Sequence, residues 1–245
     1  MERTETARAA MARSALAGLR AAAGVPMLLT AGGMAGFGAL AHDVGFSSWQ
    51  AVLATVVVWA LPAQVVAGEM HAAGADLLAI AVAAALTSMR FFPMAVALLP
   101  TFGRPPGGIP GGLAGRLMQA HLMSATSWAF MMRPAVPQEP HRRLGYHTGF
   151  TLGCITAGSV ATFAGYLGAA GLPHPLALGL LFLNAAFFMV LLADSRSGQA
   201  LLAVGLGAVL CIPAHAVLPE ASLLIAGMAG GSIAFVLGGR LRRAP

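Results

Sequence analysis

The sequence predicts an all-α fold, a polytopic transmembrane helical bundle of about eight helices. Three observations predict it. Only 9% of the 245 residues are charged, where a soluble domain carries roughly 25%. Apolar residues make up 58% of the chain and the mean hydropathy is +0.80, which leaves too little polar material to cover a water-facing surface. Finally, the apolar residues gather into runs near the ~20 residues that a helix needs to cross a bilayer.

The elements follow in order. Residues 1–23 hold Arg3, Arg8, Arg13 and Arg20 without a small-residue cleavage pattern, so this segment reads as a cytoplasmic tail or interfacial helix that is not removed, with Thr4 or Thr6 as its cap. Apolar runs then extend over Val25 to Ala41, Ala51 to Ala67, Leu77 to Leu99, Leu113 to Met132, Tyr146 to Ala169, Pro175 to Ala193, Ala200 to Val217 and Ala221 to Leu237. Together, residues 24–240 form a single transmembrane domain, and 241–245 form a cytoplasmic C-terminal tail. GRPPGGIPGG, Gly103 to Gly112, has too much proline and glycine to continue either neighbouring helix and is a loop.

Leu113 to Met132 is the ambiguous span. Arg116, Gln119, His121, Ser124, Thr126 and Ser127 make it costly to expose to lipid. If it crosses, eleven of the 14 arginines fall on the side of the N-terminus, which the positive-inside rule makes cytoplasmic. If it does not, a loop with five arginines goes outside and the count is seven. The charge rule favours eight helices with both termini cytoplasmic.

The net charge of +6 comes with no lysine at all, and the arginines flank apolar runs instead of clustering on one wet face, so nucleic acid is not the partner. Cys154 and Cys211 sit inside apolar runs and form neither a metal site nor a disulfide pattern. No metal, nucleotide or hydrolase motif is present, and the eight acidic residues stand mostly at membrane edges. The chain is not an enzyme, needs no cofactor and does not drive itself with ATP.

Polar groups inside apolar runs nominate the site. Arg90, in LTSMRFFPM, is too far from either end of its run to snorkel, so it is expected to face the bundle interior, either bonded to carbonyls of a neighbouring helix or receiving an anionic group of a ligand. Thr87 and Ser88 stand beside it, and Pro93 predicts a kink. Gln64 follows Pro62 in WALPAQVVAGE and serves as interhelical glue or substrate contact. Glu69 and His71, at the end of that run, are either interfacial charges or the groups that titrate in a proton-coupled cycle. Ser124, Thr126 and Asn184 are further polar groups in apolar surroundings. The stretch TAGGMAGFG, with Gly36, Phe37 and Gly38, is glycine-dense enough to unwind, and unwound backbone at membrane depth occurs only where it is buried or lines a cavity.

These residues also carry a family likeness. Gly18, Leu19 and Pro26, then GFGALAHDVGFSSWQA from Gly36 to Ala51, then Pro62 to Gln64, then the polar block Ser88 to Arg90, occur in the order found in the AzlC-type branched-chain amino-acid permeases, the azaleucine-resistance family, which this chain resembles. LGLLFLNAAFFMVLLA, Leu178 to Ala193, is similar to a later helix of that family. The asparagine and histidine that flank the family's arginine are replaced by Ser88 and Phe91, and Ser124, Ala125 and Thr126 stand where a threonine-acid-acid motif is usual. The resemblance implies an ion-gradient-driven exporter of branched-chain or similar apolar amino acids, with a small AzlD-type membrane protein as partner. The competing reading is a structural or regulatory membrane subunit that assembles with such a partner and transports nothing.

Overall fold

The computed structural model describes residues 2–102, 112–171, 173–193, 198–217 and 222–241, without the side chains of 2–6 and of several α10 and α12 positions, Asn184 among them. Every regular element among these residues is helical: α1 (Glu2–Ala22), α2 (Val25–Asp43), α3 (Ser48–Val58), α4 (Leu61–Ala72), α5 (Leu77–Ser88), α6 (Phe91–Leu98), α7 (Leu113–His121), α8 (Ala125–Met131), α9 (Pro140–Gly168), α10 (His174–Ala193), α11 (Gly198–Val217) and α12 (Ser222–Leu241). The loop expected at Gly103 to Gly112 falls almost wholly outside the described residues, as does the C-terminal tail beyond Leu241.

The 29-residue α9 is the axis of the bundle, with α1, α2 and α3 packed along it. Its sequence explains why three helices fit around one. Gly145, Gly149 and Gly153 recur every four residues and make a bare stripe, where a methyl on Gly145 or Gly149 would overlap the carbonyl oxygen of Met11 or Ala15 in α1. Gly165 does the same for Ala35 of α2. Backbones approach closely only where side chains are absent, and lipid-facing helices associate through such small faces. The first helix is thus docked along α9, with Ser14, Gly18 and Ala22 buried.

Large apolar side chains face outward: Leu77, Val217, Ile212 and Phe235 are all more than 70% exposed. An apolar surface on this scale matches lipid, not water. Three helices are long and apolar enough to cross a membrane alone, α2, α9 with its short extension to Gly171, and α11; α5 and α6 together make a fourth, bent by 49° at their junction. The chain is a helical membrane protein.

Several expectations change. The glycine-rich first run does not unwind, because α2 continues unbroken from Val25 to Asp43. Its glycines are packing surfaces: a side chain at Gly36 would strike Ala177 and Leu181 of α10, and one at Gly38 would overlap the carbonyl of Thr162. The break lies instead in the next run, between α3 and α4. The third run is also broken, at Met89 and Arg90, one turn before Pro93, which sits in the first turn of α6 where its missing N–H costs little. Leu113 to Met132 is not one helix but α7 and α8, of 9 and 7 residues. At 1.5 Å per residue neither reaches about 15 Å, half a bilayer core.

Candidate functional site

The chain leaves α3 through Trp59, whose φ of 45° and ψ of 35° place a bulky residue in the left-handed region. That conformation costs on the order of 1–3 kcal/mol for a non-glycine residue and persists only where packing holds it. The indole supplies that packing. Trp59 is 4% exposed within a core cluster of Met34, Phe37, Leu61, Phe150 and Cys154, and its ring lies over Gly158 of α9, the position without a side chain. Ala60 is extended and α4 then starts with Pro62 in its first turn, where proline's fixed φ suits helix entry.

No side chain caps this start of α4, although Leu61, Ala63 and Gln64 are all buried. Gln64 is 1% exposed, and neither Oε1 nor Nε2 has a hydrogen-bond partner; the indole Nε1 of Trp59 has none either. A buried amide without partners costs about 1–3 kcal/mol, so this helix break concentrates unspent hydrogen-bonding capacity beside an apolar cluster.

On α9, residues His147, Thr151, Cys154, Gly158 and Thr162 recur at spacings of three and four and therefore share a face. Their partners fix which way it looks. Thr162 bonds Thr55 of α3 at 2.8 Å, and Gly158 underlies Trp59 four residues on; as α3 rises from 55 to 59, α9 falls from 162 to 158. The chain that follows Trp59 therefore heads toward Cys154, with which Leu61 shares the core cluster. Beyond it on the same stripe, Thr151 and His147 are both fully buried, and the Thr151 hydroxyl and both His147 ring nitrogens lack partners. The His147 ring stacks at 5.0 Å on Phe102. Across the stripe, Phe130 of α8 lies 5.0 Å from Phe150.

The structure distributes the other nominated residues as follows. Phe37 joins the cluster around Trp59, while Gly36 and Gly38 pack helices. Thr87 and Ser88 donate back to Ala83 and Ala84 of their own helix, each at 2.8 Å. Arg90 does not face the interior. It is exposed at the α5–α6 break, makes no ion pair among the described residues, and stands 5.0 Å over the Phe91 ring. Ser124 caps α8 by accepting from Ser127 N, and Thr126 is buried in that helix. Glu69 and His71 are exposed at the end of α4, with the His71 ring 4.9 Å from Phe46. The Asn184 side chain lies outside those described.

Sequence reasoning missed Trp59, His147 and Thr151. The four-residue spacing of His147 and Thr151 within LGYHTGFTLG was the available signal, since it places two polar groups on one side of an otherwise apolar helix.

The AzlC protein family matches residues 26–172, which is more than half the chain, and runs from the start of α2 past the end of α9. The chain belongs to the AzlC family. No curated protein and no solved structure matches it. Membership makes this AzlC protein part of a membrane transport-related family, and the match takes in the α3–α4 break and the whole polar stripe of α9.

Proposed function

We propose that this AzlC protein exports branched-chain or similar apolar amino acids across the bacterial inner membrane by ion-gradient-driven alternating access, with the substrate held at the α3–α4 break. The observation that carries the reading is Gln64, buried with both amide atoms unpartnered one turn inside a broken helix. Interrupted helices suit amino-acid substrates because a helix start offers free N–H groups to a carboxylate and a helix end offers carbonyls to an ammonium group. Here α4 supplies the N–H end, Gln64 an adaptable donor and acceptor, and Trp59, Phe37, Leu61 and Phe150 an apolar wall for an aliphatic side chain.

Arg90 has a separate place in this proposal. An exposed arginine without a counter-charge inside an apolar run is costly, and a small AzlD-type companion membrane protein would supply the missing partner. Counterflow of labelled valine, leucine and methionine in proteoliposomes, with and without a co-expressed small companion, tests the reading. Exchange of these amino acids above empty vesicles is the expected result; a wild-type chain that exchanges none of them in either preparation contradicts it.

A further inference from the structure

A cavity lies away from the α3–α4 break. It opens between α1, the segment leading from α8 into α9, and the first turns of α9, has a volume of about 550 Å³, and is lined by Arg13, Ser14, Glu139, Arg142 and Tyr146 with small apolar residues between them. That volume lies within the ~300–1,000 Å³ range of small-ligand sites.

The arginines near this end of α9 divide into two kinds. Arg143 is buried and committed, donating to Gln138 Oε1 and to the Met131 carbonyl at 2.8 Å each. Arg133 lies on the Phe130 ring at 3.9 Å. The two that line the cavity are not used up in this way. Arg142 has only a long contact to Glu139, 3.7 Å between half-exposed or more exposed side chains, and Arg13 makes no ion pair among the described residues. One carboxylate facing two guanidinium groups leaves the cavity one positive charge in excess. Its phenol and serine hydroxyls add neutral donors, and the alanine and proline positions give it an apolar wall.

We propose that this cavity binds a phosphate group, with Arg13 and Arg142 as its two charged ligands, presented either by an anionic phospholipid headgroup or by a free phosphate. Planar guanidinium groups match phosphate oxygens in pairs, and basic pockets between membrane helices take lipid headgroups. A lipid would bridge α1 to the start of α9 at the level where its headgroup lies. The inference does not depend on which amino acid is transported, or on transport at all.

Native mass spectrometry of the full-length protein in detergent, titrated with phosphatidylglycerol, with diacylglycerol as the phosphate-free control and with inorganic phosphate, tests it. Phosphatidylglycerol retention that falls about tenfold or more in Arg13→Gln and in Arg142→Gln, falls less in Arg13→Lys, which keeps the charge but not the planar fork, and is unchanged in Arg133→Gln supports the site with lipid as its source. The same pattern with inorganic phosphate alone supports it with free phosphate as the source. Retention of diacylglycerol equal to that of phosphatidylglycerol, loss in Arg133→Gln as large as in the cavity variants, or no retention of either phosphate probe overturns it.

Discussion

Thr55 of α3 and Thr162 of α9 bond to each other through their hydroxyls at 2.8 Å, both fully buried. Thr55 also reaches the Ala51 carbonyl at 3.2 Å, a second partner within its own helix. The pair fixes α3 against the axial helix one turn before the chain breaks at Trp59, and so positions the candidate site. Removing one hydroxyl leaves the other group buried. Thr55→Val, which leaves the buried Thr162 hydroxyl without its partner, is expected to lower stability by about 1–3 kcal/mol, whereas Thr55→Val combined with Thr162→Val recovers much of the loss. Thermal unfolding of the purified single and double variants checks this.

The glycine contacts give a sharper contrast between positions. Gly165→Ala would drive a methyl into the Ala35 carbonyl, while Gly205→Ala meets nothing within 4 Å. The first should cost on the order of 1–3 kcal/mol through overpacking, visible as reduced yield and a lower Tm. The second should be neutral or stabilising by up to about 1 kcal/mol.

Gln64 is expected to separate function from stability. Its amide has no hydrogen-bond partner, so Gln64→Leu removes a buried polar cost and should leave the Tm equal or higher while abolishing amino-acid-dependent stabilisation. A thermal-shift panel of amino acids on both proteins reads the two effects together.

Arg90 yields the opposite pattern. Because its side chain is exposed at the α5–α6 break, Arg90→Ala should keep the stabilisation by amino acids that Gln64→Leu loses. Loss of that stabilisation in Arg90→Ala would return the arginine to the role of carboxylate receiver that its position in the sequence suggested.

The helical membrane character was legible in charge content and hydropathy, because lipid demands long apolar runs wherever they fall. The family was legible in the ordered motifs from Gly18 to Arg90. What sequence could not locate was the break. Glycine density pointed to α2, yet α2 stays helical because α9 and α10 press on its bare faces and leave the backbone no room to unwind. The break fell at Trp59, a residue that propensity places in regular structure and that only the tertiary packing over Gly158 holds left-handed. The kink that Pro93 announced is present as the bend between α5 and α6, but the proline did not say that Arg90, at the bend itself, would be exposed there. His147 stood at the edge of the run from Tyr146 to Ala169, whereas α9 begins at Pro140 and so carries it well inside the helix.

The central claim is that the α3–α4 break holds the substrate, and counterflow of labelled leucine into proteoliposomes of wild type and Gln64→Leu tests it most directly. The account predicts clear exchange by the wild type and background exchange by the variant, in protein whose Tm is unchanged or raised. Wild-type exchange rates in Gln64→Leu would contradict it.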